Sequence, residues 1–203
     1  GLEAEVVRVA TLDELDVKET AAACRGRIVF VDRLMSRTSD GSGYGDAVPA
    51  RSDGASLAGR LGAVGLLIRS IGTDQNRLPH TGGLSYAKDA PRIPAAAVSV
   101  PDADLITRLL RRGGPVRVRF ELTCETRPDA PSANVVGEVV GRERPNEIVL
   151  LGAHLDSWDL GTGAIDESRR AGHDHTLTVQ REHVVGQACR DDALEAAALA
   201  GLA

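Results

Sequence analysis

Ile148-Val149-Leu150-Leu151-Gly152-Ala153-His154-Leu155-Asp156-Ser157-Trp158-Asp159, followed by Leu160-Gly161-Thr162-Gly163-Ala164-Ile165-Asp166, is the stretch on which the reading turns. It opens as a continuous apolar run with β-branched residues at 148 and 149, the pattern of a strand covered on both faces in a parallel sheet. The run ends on Gly152-Ala153, and a His, two Asp and a Trp then arrive together ahead of a Gly-rich loop. In open α/β sheets the chemistry sits where the chain leaves the carboxyl ends of the strands. The change of character after Leu151 falls at such a place.

His154 and Asp156 are two residues apart, so on extended backbone they project to the same side. Imidazole nitrogen and carboxylate oxygen are both good ligands for a zinc-like ion. One of the two suffices as ligand, since the other can hold the imidazole by its second ring nitrogen. Asp166 follows after Gly161 and Gly163 have let the loop turn back, and its two oxygens suit it to bridging two ions. The plainer reading has His154 and Asp156 capping a strand end and hydrogen-bonding the loop. Spacing alone leaves both open.

His154-Leu155-Asp156-Ser157-Trp158-Asp159 with Gly161-Thr162-Gly163-Ala164-Ile165-Asp166 closely resembles the metal-site segment of zinc-dependent exopeptidases of the carboxypeptidase Q (plasma glutamate carboxypeptidase) type. These belong to the wider group of co-catalytic two-zinc aminopeptidases. The resemblance implies His154 as a zinc ligand, Asp156 as the carboxylate that orients it, and Asp166 as the ligand bridging two zinc ions. The family continues with a second Asp and a Gly, where this chain has Glu167 and Ser168.

Composition bounds the remaining possibilities. The chain has 203 residues, 42% hydrophobic and 26% charged, ordinary values for a globular protein with a real core. A net charge of −5 gives no basic footprint, so nucleic acid is not an expected partner. Aromatic residues are only 2%, so the core must be built from Ala, Val, Leu and Ile. Cys24, Cys124 and Cys189 are widely spaced and form no disulfide framework or C-x-x-C pair. No apolar run reaches the roughly 18 residues of a transmembrane helix, and no signal peptide is visible. The chain opens mid-pattern without Met, which reads as loss of an N-terminal segment.

Upstream, strands are expected at 5–10, 26–31, 64–68, 93–98 and 116–122, the last alternating Val116, Val118, Phe120 and Leu122 with charged residues. Thr11 to Leu15 reads as a capped helical turn, and 54–61 as a short Ala-rich helix. A further helix runs from Pro101 to about Arg112, with Leu105, Leu109 and Leu110 on its apolar face and Gly113-Gly114 as its stop. Residues 36–46 read as a polar loop, and 69–92 as irregular chain punctuated by Gly and Pro. His80, between Pro79 and Gly82, reads either as a turn residue or as a group that reaches a substrate.

Arg25-Gly26-Arg27-Ile28-Val29, Leu67-Ile68-Arg69-Ser70, Pro79-His80-Thr81-Gly82 and Ile93-Pro94 resemble the protease-associated (PA) domain that the same exopeptidases carry beside the catalytic domain. The resemblance implies a mixed α/β architecture: a PA-type β-rich domain with two or more short helices over 1–125, a linker over 126–133 containing Pro128 and Pro131, and the first strands of a zinc-exopeptidase α/β sandwich over 134–167. Those first strands are expected at 134–140 and 148–154, joined by a charged hairpin loop.

After Asp166 the family pattern stops. The family supplies a Glu-Glu pair, base then ligand, with a further Asp and His; the 37 residues after Asp166 contain no Glu-Glu pair. His173-Asp174-His175, Glu182-His183 and Asp191-Asp192 lie at none of the family's spacings. The 168–203 tail reads instead as non-family sequence, from a frame shift or a misassigned gene end after about Ile165 to Glu167. The expected function is that of the N-terminal portion of a two-zinc metallo-exopeptidase acting on short peptides or dipeptides, secreted or periplasmic in its parent form, homodimeric when intact, and inactive as this chain. The alternative expectation is a stand-alone PA-type peptide- or protein-binding module.

Overall fold

The computed structural model describes residues 1–152, apart from residues 81, 126 and 132, together with the Ala197–Ala198 strand. These residues fall into two units, one formed by residues 1–127 with the 197–198 strand and one beginning at Pro128.

The first unit is a six-stranded mixed sheet in the order β5-β1-β2-β3-β4-β6. Its strands are β1 (Leu2–Val9), β2 (Ile28–Val31), β3 (Gly65–Arg69), β4 (Ala95–Val98), β5 (Arg117–Phe120) and β6 (Ala197–Ala198). β1, β2, β3, β4 and β6 run parallel, and β5 returns antiparallel beside β1 with Leu2 opposite Phe120 and Ala4 opposite Val118. The three central strands β2, β3 and β4 are buried along their whole length. That is why their sequences, IVFV, GLLIR and AAAV, lack the polar alternation of a half-exposed strand. β5, at the sheet's edge, does alternate, with Val118 and Phe120 inward and Arg117 and Arg119 in solvent.

The period of two along each strand splits the core between the two faces of the sheet. Val29, Val31, Leu66, Ile68, Ala95 and Ala97 face one side, with Leu15, Cys24, Ala55 and Ala58 packed on them. Ile28, Phe30, Leu67, Ala96 and Val98 face the other, under Ala103 and Ile106. The first face is covered by a 3-10 turn (Leu12–Asp16) and helices α1 (Lys18–Cys24), α2 (Ser42–Ser52) and α3 (Gly54–Arg60); the second is covered by α4 (Val100–Arg111).

α4 begins as its sequence indicates. Ser99 caps it, its Oγ accepting from the Asp102 backbone N–H (3.2 Å) and donating to the Asp102 carboxylate (2.6 Å). It ends at Gly113 and Gly114, both at positive φ (81° and 96°), a conformation that glycine adopts without a Cβ clash. The buried stripe differs from the expected one. Ala103, Ile106 and Thr107 are buried and Leu110 packs partly on the same core, whereas Leu105 and Leu109 are half-buried, because the 103, 106, 107, 110 spacing is what faces the sheet.

Two further elements differ from the sequence reading. The segment expected as a loop over 36–46 turns into α2 at Ser42, despite Gly43, Gly45 and Pro49 within the helix. Propensity disfavours such a helix, so tertiary contact and capping must hold it. Ala47 and Ala50 are buried, and Gly43 lies so close to the Ser36 carbonyl that a Cβ there would overlap it. Asp40 accepts from the Ser42 N–H (3.1 Å) and hydroxyl (2.7 Å), which holds its carboxyl below the usual aspartate value. Helix α1 over 18–24, ending in the buried Cys24, matches no expected element.

The strands expected at 134–140 and 148–154 are not formed among the described residues. Every described residue from 133 to 152 is exposed, and Val149 alone there makes an isolated bridge. The reason is the one that made these runs look like strands: a stretch apolar on both faces is stable as a strand only when neighbouring strands and helices cover it. Arg144 and Glu147 close the intervening turn with a backbone hydrogen bond (3.0 Å) and a side-chain ion pair (3.2 Å).

Candidate functional site

Asp32 follows the last residue of β2, Arg69 ends β3 and Ser99 follows β4, so all three stand at the carboxyl edge of the parallel sheet. Open α/β folds place their sites at this edge. Asp32 is buried to 4% exposure and its carboxylate accepts from three donors: Arg8 Nε (2.6 Å), Arg69 Nε (2.6 Å) and Thr107 Oγ1 (2.8 Å). Arg69, equally buried, sends Nη2 to Asp104 (2.7 Å) and Nη1 to the Val100 carbonyl (3.4 Å). Two guanidinium groups face two carboxylates, so the cluster is neutral and each carboxylate is paired. It fixes α4 onto the ends of β2 and β3. In a buried, fully paired arrangement of this kind, removing one partner strands the other away from water.

The irregular chain after β3 is tied down over this edge. The His80 N–H donates to Ser70 Oγ (2.5 Å), and Arg77 Nη1 donates to the buried Asp102 carboxylate (2.8 Å). His80 therefore sits in an anchored turn. Its ring lies edge-on to Tyr44 (centroids 5.9 Å apart, planes at 83°), with Nε2 3.3 Å from the Tyr44 hydroxyl. Arg51 Nη2 also donates to that hydroxyl (3.3 Å), and its guanidinium carbon lies 5.9 Å from the Tyr44 ring centre. Gly82 packs directly on this guanidinium, where any Cβ would overlap it. Tyr44 escapes sequence reasoning because it falls in the 36–46 stretch expected as loop, and Arg51 because no element is expected at 47–53; both belong to α2.

His154, Asp156 and Asp166 lie outside the described residues. Among the described residues no group of three or more His, Cys, Asp or Glu side chains is arranged to hold a metal ion. The donors offered by the 154–166 segment, the His154 imidazole and the carboxylates of Asp156, Asp159 and Asp166, are those that zinc accepts. Among the described residues, no helix is long and apolar enough to cross a membrane.

Known proteins resemble the chain in two overlapping ways. Residues 134–171 match the family model of peptidase family M28. Over 167 residues the chain is 38% identical to carboxypeptidase Q of Mus musculus and, to the same degree, of Bos taurus, covering 82% of this chain and 34% of each relative. In fold it is similar to the crystal structure of a peptidase M28 precursor from Shewanella amazonensis SB2B, with a TM-score of 0.76 and 50% identity over 82% of this chain and 38% of that one. The chain thus spans about a third of the length of the curated relatives it matches. The mixed α/β fold and the two lines of sequence similarity agree in likening this chain to proteins of peptidase family M28, whose model matches residues 134–171.

Proposed function

We propose that this chain contributes the PA-type domain and the first metal-binding segment of a two-zinc metallo-exopeptidase that trims short peptides or dipeptides. The observation that carries the proposal is the H-x-D triplet of His154 and Asp156, with Asp166 after a Gly-rich loop, inside the stretch that matches peptidase family M28. His154 would hold one zinc ion, Asp156 would orient the His154 ring through its second nitrogen, and Asp166 would bridge two ions. Bound zinc supplies a Lewis acid for the peptide carbonyl and lowers the pKa of water. The proton acceptor for that water is a separate carboxylate. These 203 residues hold no Glu-Glu pair to provide it, so the chain by itself is proposed to be inactive. Residues 1–125 act on this reading as the PA domain and 126–133 as a linker; the family match runs to residue 171, past the 168 at which the tail is expected to begin. The names of the relatives, carboxypeptidase Q and peptidase M28 precursor, support the peptidase reading. An exported location and a homodimer of the whole protein belong to the same proposal.

Cobalt(II), a spectroscopic substitute for zinc, tests it. Titration into this chain should raise visible d–d absorption from His and carboxylate ligation, and His154→Ala and Asp166→Ala should each abolish it. Spectra identical to aqueous cobalt, or unchanged by both substitutions, would refute the metal-site assignment. Zinc-dependent hydrolysis of a dipeptide by the unaltered chain would refute its inactivity.

A further inference from the structure

The first unit carries an open groove of about 570 Å³ between the 3-10 turn, α3 and the chain after β3. Its size is that of a small-ligand site. Leu12, Leu57 and the ring of Tyr86 supply apolar wall, while Asp13 and Asp53 add carboxylates. Tyr86 is fixed in place, its hydroxyl donating to the Ile93 carbonyl, and the segment after it is pinned by the Ala87 N–H to Ser56 Oγ bond (2.9 Å). At one margin Arg60 is consumed by a two-point pair with Asp89 (3.2 and 2.7 Å), which holds the Asp89 carboxyl below its usual value. Asp13 and Asp53 make no ion pair among the described residues. The groove's unbalanced charge is therefore negative.

The placement of the carboxylates relative to the apolar wall narrows the ligand. Asp13 is adjacent to Leu12, and Asp53 precedes Leu57 by four residues, one turn along the start of α3. Residues four apart on a helix are neighbours, so the Asp53 carboxylate stands beside Leu57, while Asp13 joins Leu12 in the groove's lining. A matching ligand carries its cation within one residue of an apolar side chain, which describes a free α-ammonium on an apolar amino-terminal residue. A lysine ammonium stands at the end of a four-carbon stem and does not keep that spacing. We infer that this groove binds the amino-terminal end of a short peptide, its α-ammonium on Asp13 and Asp53 and its first side chain against Leu12, Leu57 and Tyr86. The inference takes its peptide ligand class from the proposed function but uses none of the zinc-site residues.

The test is a titration of the full chain with the tripeptide Leu-Gly-Gly, followed by backbone amide NMR. The resonances of Leu12, Leu57 and Tyr86 are expected to shift. Amino-terminal acetylation of the peptide, or Asp13→Asn with Asp53→Asn in the protein, should weaken binding by about tenfold or more, the effect of losing a hydrogen bond to a charged group. His154→Ala should leave the affinity unchanged. Absence of binding, equal affinity for the acetylated peptide, or equal affinity of the double variant would overturn the inference. So would acetyl-lysine amide binding as tightly as the tripeptide, or loss of binding in His154→Ala. The acetylation arm needs no variant, so it decides the matter even if the Asn substitutions perturb folding. Because the cobalt spectrum reads only the 154–166 segment, failure of the groove and failure of the metal site are told apart.

Discussion

Removing the charge of Asp32 should be among the most damaging single substitutions in the first unit. Its carboxylate accepts from Arg8, Arg69 and Thr107 while its side chain is 3% exposed, and the Arg69 side chain is 4% exposed. In Asp32→Ala the Arg69 guanidinium keeps Asp104 but loses its nearest carboxylate in a place that water does not reach. Arg8, whose side chain is 35% exposed, can turn to solvent, so its share of the loss is small. Breaking a buried pair by removing one partner costs about 3–5 kcal/mol. For a unit of this size that corresponds to a fall in Tm on the order of 10–20 °C. Urea unfolding of the full chain, followed by far-UV circular dichroism, measures it. The double variant Asp32→Leu with Arg69→Met should recover much of the loss, because an apolar pair of similar volume needs no partner. A loss below about 1 kcal/mol for Asp32→Ala, within the range of a surface pair, would show that the cluster is solvated and would refute the reasoning.

Other substitutions probe other links. Gly43→Ala should destabilise by about 1–3 kcal/mol, since α2 or the Ser36 backbone must move to admit the methyl group; the same urea experiment detects it. Ile106→Ala should cost about 2–5 kcal/mol by emptying the space between α4 and the sheet. The depressed carboxyl of Asp40 contributes stability that is complete above the ordinary aspartate value and is lost as pH falls through the lower folded value; acid unfolding profiles of Asp40→Asn should lack that component. Burial raises the thiol of Cys24, which donates to the Thr20 carbonyl (3.2 Å), whereas Cys124 is exposed. In a Cys189→Ser background, iodoacetamide should therefore modify Cys124 first and Cys24 only on unfolding.

The sheet was the legible part of this chain because strands buried on both faces announce themselves as unbroken apolar runs. IVFV, GLLIR and AAAV carry that signal without help from distant residues. The Gly113-Gly114 pair likewise marks the end of α4 by local chemistry, whereas its Ser99 cap was not read from the sequence. α2 was illegible because what stabilises it is remote: the Ser36 backbone against Gly43, and the burial of Ala47 and Ala50. The Asp32 cluster was hidden for the same reason, its members separated by 24, 37 and 75 residues. The opposite error occurred at 134–140 and 148–152, where local pattern signals strands that the described residues do not pair, leaving Val139 97% exposed and Leu151 85% exposed. The metal-site expectation at His154, Asp156 and Asp166 rests on short-range spacing and on resemblance, and falls beyond the described residues.

The zinc-site assignment is tested most directly by isothermal titration of zinc into the full chain, beside His154→Ala, Asp166→Ala and Asp156→Asn. Uptake that is lost in the first two variants and weakened by roughly 10–100-fold in the third, as loss of an orienting carboxylate would cause, is the predicted result. Four superimposable isotherms would contradict it.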